Sequence, residues 1–97
     1  MADTIEIVTF NLKPTTSRDA FIAKNKDVEQ NVIMQMPGII SRETGITDDG
    51  KVVVVLHWKR PEDAQNSMDK FVANPGTKAF TDLLDMDTFT MTRYQKS

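Results

Sequence analysis

The side chains best suited to chemistry stand at two points of the chain. His57 and Trp58 are adjacent at the end of an aliphatic segment, and Tyr94 lies near the last residue. An imidazole exchanges a proton near neutral pH, and a phenol can donate a hydrogen bond to a bound oxygen. A flat indole can stack on an aromatic ring. His57, Trp58 and Tyr94 are therefore the candidate catalytic residues.

Each of these three residues also has a purely structural interpretation. Neighbours on a strand point to opposite faces, so His57 and Trp58 cannot share one cavity. If Trp58 faces helices as a core aromatic, His57 faces a second sheet, where one hydrogen bond satisfies it. Tyr94 can equally be a half-buried filler at a strand edge. Both interpretations stay open at this point.

The composition argues against several classes of site. The chain has 12 Lys and Arg, 14 Asp and Glu, a formal charge of −2, no cysteine and one histidine. We therefore expect no nucleic acid, no membrane surface and no thiolate or multi-histidine metal site. Asp82, Asp85 and Asp87 form an acidic run without a third kind of ligand, and we interpret them as solvated.

The length of 97 residues suits one domain, spanning 1–97. The longest aliphatic run, Val52 to Leu56, is far too short to cross a bilayer, and the first residues lack the basic charge of a signal peptide. We expect a cytoplasmic protein.

Strand and helix patterns alternate along the whole chain. Apolar alternation and helical spacing predict two helices, a short extra helix and four strands. Helix one begins near Thr16 or Ser17 and ends at Pro37-Gly38. Helix two begins at Pro61 and ends at Asn74-Pro75-Gly76, after which Thr77 caps the short helix. The strands are Thr4 to Leu12, Ile39 to Ile46, Lys51 to Lys59 and Asp87 to Gln95, and Asp48-Asp49-Gly50 predicts a tight two-residue hairpin.

This order, β-α-β-β-α-β, predicts an α+β fold. It corresponds to a ferredoxin-like plait, with a four-stranded antiparallel sheet and both helices on one face. Val52 to Leu56 are apolar on both faces of their strand, so the open face of the sheet needs a cover. A second copy of the same sheet would supply it, and we expect a homodimer.

The sequence resembles the antibiotic biosynthesis monooxygenase (ABM) family of dimeric α+β barrels. The resemblance rests on Phe21 in helix one, Pro37-Gly38-Ile39 after it, and His57-Trp58 followed by the acidic helix start Pro61-Glu62-Asp63-Ala64. The segments 71–75 and 78–80 resemble the end of the family's second helix.

The resemblance implies a cofactor-independent monooxygenase. Its substrate would be a planar aromatic or quinol-like compound in a pocket between sheet and helices, with Trp58 positioning the ring and His57 or Tyr94 handling protons. The candidate substrate-binding residues are Phe10, Phe21, Trp58, Met68, Phe71 and Phe80.

Two alternatives follow from departures from the family pattern. Val52, Val54 and Leu56 stand where oxygenases place polar side chains, which favours a non-catalytic small-molecule-binding or stress-related dimer. Haem degradation is the least supported, because no histidine lies between Glu62 and Asp85.

Overall fold

A four-stranded antiparallel sheet forms the base of the structure, a computed structural model that describes residues 3–97. The strands are β1 (Thr4–Leu12), β2 (Ile39–Ile46), β3 (Lys51–Trp58) and β4 (Leu84–Gln95), in the order β2-β3-β1-β4. All three neighbouring pairs run antiparallel. The two central strands, β1 and β3, are rich in β-branched and aromatic residues, and each has a neighbouring strand on both sides.

Three helices cover one face of this sheet: α1 (Arg18–Asn31), α2 (Pro61–Ala73) and α3 (Lys78–Thr81). Short 3₁₀ turns follow α1 at Ile33–Gln35 and α2 at Pro75–Thr77. The ferredoxin-like α+β fold is thus confirmed. No helix within residues 3–97 is long and apolar enough to span a bilayer.

The alternation of side chains along β1 and β3 decides which residues reach the helices. Val8, Phe10, Val54, Leu56 and Trp58 are buried on the helix side, where they join the core formed with side chains of α1, α2 and α3. Their strand neighbours point to the other face, which no element of residues 3–97 covers. That face carries Ile5, Ile7, Val53, Val55 and His57.

The structure corrects the hairpin between β2 and β3. Thr47 and Lys51 close the loop, with the Thr47 amide donating to the Lys51 carbonyl at 2.9 Å. Three residues, Asp48 to Gly50, lie between them rather than two. Gly50 has φ +85°, so it provides the left-handed residue that a three-residue hairpin loop requires.

The helix ends also differ from the prediction. Ser17 caps α1, accepting from the Ala20 amide at 3.1 Å, but α1 ends at Asn31 and does not continue to Pro37. Thr77 makes no cap for α3. Its hydroxyl instead donates to the carbonyls of Phe71 (2.7 Å) and Asn74 (2.8 Å), which ties down the end of α2.

Strand β4 begins at Leu84, three residues earlier than predicted, because it pairs with β1 on both sides of a large bulge. Thr9 pairs with Thr90 and Asn11 with Asp85, so β4 has three more residues than β1 between these pairs. The bulge presents Phe89 to Phe10, and the two rings stack with centroids 6.3 Å apart. Bulges commonly redirect side chains beside binding sites.

A close approach fixes the start of β2 against α2. Gly38 has φ +83°, and a Cβ added there would clash with Asp63 Oδ2. The Asp63 side chain is buried and pairs with Arg60 at 3.1 Å, while the Gly38 carbonyl accepts from the Lys59 amide at 2.8 Å. Only glycine fits between these groups.

We predict that Gly38→Ala lowers the free energy of unfolding by at least about 2 kcal/mol, because it adds both backbone strain and a clash with Asp63. Urea denaturation measures the effect. Gly45→Ala is the matched control, since Gly45 has no positive φ and its added Cβ would meet only the tip of Val53 at 3.3 Å. Similar losses in both variants would contradict the prediction.

Candidate functional site

A cavity of about 180 Å³ lies between the sheet and the helices. Side chains of β1 and β3 form its floor, and side chains of α2 and α3 form its roof. Four of the six predicted substrate-binding residues line it, namely Phe10, Met68, Phe71 and Phe80. Val8, Val54 and Leu56 complete much of the floor, so its wall is almost entirely apolar.

Phe21 and Trp58, the other two predicted substrate-binding residues, do not line this cavity. Phe21 is buried beneath it, with ring centroids 5.9 Å from Phe10 and 5.8 Å from Phe80. Trp58 is fully buried, with none of its surface exposed. Both side chains support the site from the core behind its wall.

The aromatic rings form one connected cluster. Phe80 contacts Phe10, Phe21 and Phe71 at centroid distances from 5.8 to 6.4 Å. Edge-to-face and stacked pairs at such distances each add roughly 0.5–1.5 kcal/mol beyond the area they bury. The cavity therefore has a stiff aromatic wall, of the kind that suits a flat apolar guest.

His57 and Tyr94 lie on the opposite face of the sheet from the cavity. Each pairs across the strands with Ile5, His57 from β3 and Tyr94 from β4, so the two side chains flank Ile5 on the open face. Tyr94 is 53% exposed. The structure therefore does not bring the predicted trio together: Trp58 faces the helices, and His57 and Tyr94 face away from them.

A buried carboxylate that the sequence analysis missed forms part of the cavity wall. The Glu6 side chain is only 5% exposed. Its Oε2 accepts from Arg93 Nε at 2.8 Å, and its Oε1 accepts from the Trp58 indole at 3.3 Å. Arg93 also donates from Nη1 to Gln65 Oε1 at 2.7 Å, while its Nη2 is buried with no partner among residues 3–97.

A buried guanidinium lines the same cavity. The Arg42 side chain is 4% exposed and donates to Glu29 Oε1 at 3.2 Å and to Asn25 Oδ1 at 2.8 Å. Burial lowers the pKa of Arg42 from its usual value, and the hydrogen bond and charge of Glu29 partly oppose this shift. Because guanidinium pKa values are so high, Arg42 stays charged.

These charged residues occupy one row across the helix-facing side of the sheet. Glu6 pairs with Leu56 on one side and Arg93 on the other, and Leu56 pairs in turn with Arg42. Glu6 and Arg42 therefore flank Leu56 on the cavity floor. The sequence could have predicted this position of Glu6, since Glu6 alternates with Ile5 and Ile7 and therefore shares a face with Val8 and Phe10.

The acidic run near the start of β4 lies outside the cavity, along a wider groove of about 730 Å³. Asp82 pairs with Lys78 at 2.9 Å, and Asp85 accepts from the Asp87 amide at 3.2 Å. Within the described range 3–97, no group of three or more His, Asp or Glu side chains could hold a metal ion. The groove meets the cavity at five residues that line both: Phe71, Val72, Thr81, Leu84 and Met86.

The fold and this site define a class: a ferredoxin-like α+β protein with a small aromatic-walled cavity between sheet and helices. No family model matches the sequence, and no curated protein matches it. Solved structures do match the fold. Over the whole chain it is similar to SnoaB, a cofactor-independent oxygenase from Streptomyces nogalater, with a TM-score of 0.78, 12% identity and 95% of that chain covered.

Two further structures support the same assignment of fold. A candidate antibiotic biosynthesis monooxygenase from Bordetella bronchiseptica gives a TM-score of 0.80 at 14% identity, with 100% of this chain and 99% of that chain covered. The ActVA-Orf6 monooxygenase of Streptomyces coelicolor, solved with nanaomycin D, gives 0.73 at 19% identity, covering 99% and 88%. The chain thus has the fold of the ABM monooxygenases, and the resemblance is confirmed at the level of fold.

We predict that Trp58→Phe lowers the free energy of unfolding by about 1–2 kcal/mol, since it removes the indole donor from the buried Glu6 and leaves a void. Denaturant unfolding followed by circular dichroism measures the loss. Ile22→Val, which removes one methylene from an exposed side chain of α1, is the control and should stay within about 0.5 kcal/mol. A stable Trp58→Phe protein would show that the indole bond contributes nothing.

Proposed function

We propose that this protein is a cofactor-independent monooxygenase that takes a planar aromatic or quinol-like compound into the cavity between sheet and helices. The observation that carries the proposal is the aromatic-walled cavity itself, covered by α2 and α3 and bordered by Glu6 and Arg42. The likeness to SnoaB and ActVA-Orf6, both described as oxygenases, supports the reaction type.

In such a reaction the substrate supplies all the electrons. For a hydroquinone, one oxygen atom of O₂ enters a ring C–H position, and the other leaves as water together with two hydrogens of the substrate. The product is a hydroxyquinone. The protein contributes a dry apolar space in which the electron-rich ring meets O₂, and a fixed positive charge near the developing anion.

Arg42 is suited to supply the fixed positive charge near the developing anion. Its charge is held at the cavity wall by Glu29 and Asn25, so it needs no rearrangement when negative charge develops on a bound ring. His57 and Tyr94 are less suited to handle protons here, because within one chain both project from the opposite face of the sheet. Their catalytic role stays a prediction.

The alternative is a non-catalytic binding or stress-related protein that uses the same cavity. One observation favours it: the β3 positions Val54 and Leu56 on the cavity floor are aliphatic and offer no polar group to a reacting oxygen. Binding without turnover is then the expected behaviour. Oxygen consumption separates the two functions.

We predict that the purified protein accelerates oxygen uptake with hydroquinones, and that Val54→Phe abolishes the acceleration. Val54 lines the cavity, so a phenyl group there occupies the space that a bound ring would need. Uptake is measured with an oxygen electrode against the rate without protein, with anthrone-type compounds in the same panel.

Val52→Phe is the matched control for this experiment. Val52 is equally buried on the same strand face but does not line the cavity, so the larger side chain should cost about 1–3 kcal/mol of stability and spare turnover in the folded fraction. Binding of the same compounds without any uptake above background would support the non-catalytic alternative.

We also propose that a second copy of the chain covers the open face of the sheet. Ile5, Ile7, Val53 and Val55 form an aliphatic centre on that face, with His57 and Tyr94 beside it. Because the patch is formed by the two central strands, it can meet its own copy about a two-fold axis. Burial of the aliphatic side chains would stabilise the dimer.

We predict that Ile7→Lys converts the dimer into a monomer, because it places a charge at the centre of the paired faces. Light scattering coupled to size-exclusion chromatography gives the mass, and circular dichroism checks the fold. Ala23→Lys, on the exposed side of α1, introduces the same charge elsewhere and should leave the mass unchanged. A wild-type protein of monomer mass would overturn this proposal.

A further inference from the structure

We infer that Glu6 accepts the hydroxyl hydrogen of a one-ring phenol or hydroquinone bound in the cavity, and that Arg93 and Trp58 hold the carboxylate in place for this contact. The inference rests on the proposed function in one respect, namely that an aromatic compound occupies the cavity. Beyond the proposed function, it specifies that the bound compound has one ring and that Glu6 recognises its hydroxyl group.

The position of Glu6 supports this role. Its side chain is part of the cavity wall, and it receives one donor on each carboxylate oxygen. An ionised carboxylate has about four accepting positions, so the bonds from Trp58 and Arg93 leave accepting capacity unused. A phenol hydroxyl placed against Glu6 would use this remaining capacity.

Stability alone does not explain this buried charge. A buried ion pair is often no more stabilising than well-packed apolar side chains of similar volume. Glu6 stands among Val8, Phe10 and Leu56, where an apolar residue would continue the wall. Arg93 also buries an Nη2 that has no partner within residues 3–97. The carboxylate and its support therefore suit recognition better than packing.

The cavity volume sets the size of the guest. An engineered protein cavity of about 150 Å³ accepts benzene, and the cavity here is about 180 Å³. One ring with small substituents fits this space without any movement of α2 or α3. The second charged residue, Arg42, lies two strands from Glu6, about 10 Å away along the row. A ring oxygen opposite the hydroxyl would point toward it.

The test compares p-cresol with p-xylene, which differ by one hydroxyl in place of one methyl group and have nearly the same volume. Binding of each is followed by NMR titration of the wild type, Glu6→Gln and the control Glu62→Gln, whose exposed carboxylate lies on α2. We expect the wild type and Glu62→Gln to bind p-cresol at least 10-fold more tightly than p-xylene. In Glu6→Gln this preference should shrink by about 10-fold, the effect of losing a charge-assisted hydrogen bond.

A second measurement needs no variant. The chain has one tryptophan, so its spectrum contains one indole N–H signal. Because that N–H donates to Glu6, p-cresol should shift the signal and p-xylene should leave it almost unchanged. This readout stays decisive if Glu6→Gln does not fold.

The outcomes distinguish this inference from the proposed function. Binding of both compounds with the same preference in all three proteins, or an indole signal that does not respond selectively to p-cresol, would overturn the role of Glu6 and leave the monooxygenase proposal standing. Failure of both compounds to bind would also overturn the role of Glu6, and oxygen uptake would still decide the monooxygenase proposal separately. Absence of oxygen uptake despite selective binding of p-cresol would overturn only the catalytic proposal.

Discussion

The buried Glu6 carboxylate is the constraint on which the arrangement of the site depends. It connects β1 to β3 through the Trp58 indole and to β4 through Arg93, and Arg93 extends the connection to α2 through Gln65. A charge removed from water must be paired and hydrogen-bonded, or it costs several kcal/mol. The strand register must bring the Trp58 and Arg93 donors to Glu6, and α2 must place Gln65 against Arg93. These contacts fix one end of the cavity.

The opposite end of the cavity depends on an irregularity in the sheet. The three additional residues in β4 bring Phe89 against Phe10 and place Met86 between the cavity and the outer groove. A regular β4 would continue the flat ladder past Phe10. The bulge shapes the cavity wall that faces the groove, and the Glu6–Arg93 ion pair supports the opposite wall. Bulges and such supporting contacts are common beside binding sites.

Sequence patterns predicted the elements well because each follows from local physics. Alternation placed Trp58 and Val54 on one face of β3, and Ser17, one of the two predicted caps, caps α1. The misses arose where tertiary contacts decide the outcome. Thr77 bonds carbonyls at the end of α2 instead of capping α3, and Leu84 joins β4 because Asn11 and Leu12 of β1 pair with this end of the strand.

The site was harder to predict than the fold, because the residues whose types suggest chemistry do not line the cavity. The histidine and the tyrosine project from the open face of the sheet, on the side away from the cavity. Glutamate in an aliphatic strand is less conspicuous, yet its position on the face of Val8 and Phe10 means that the fold must bury it. A charge that strand alternation places in a core needs hydrogen-bond donors from the protein, from a ligand, or from both. In this chain Arg93 and Trp58 each donate one hydrogen bond to Glu6, and the carboxylate borders an almost entirely apolar cavity of about 180 Å³.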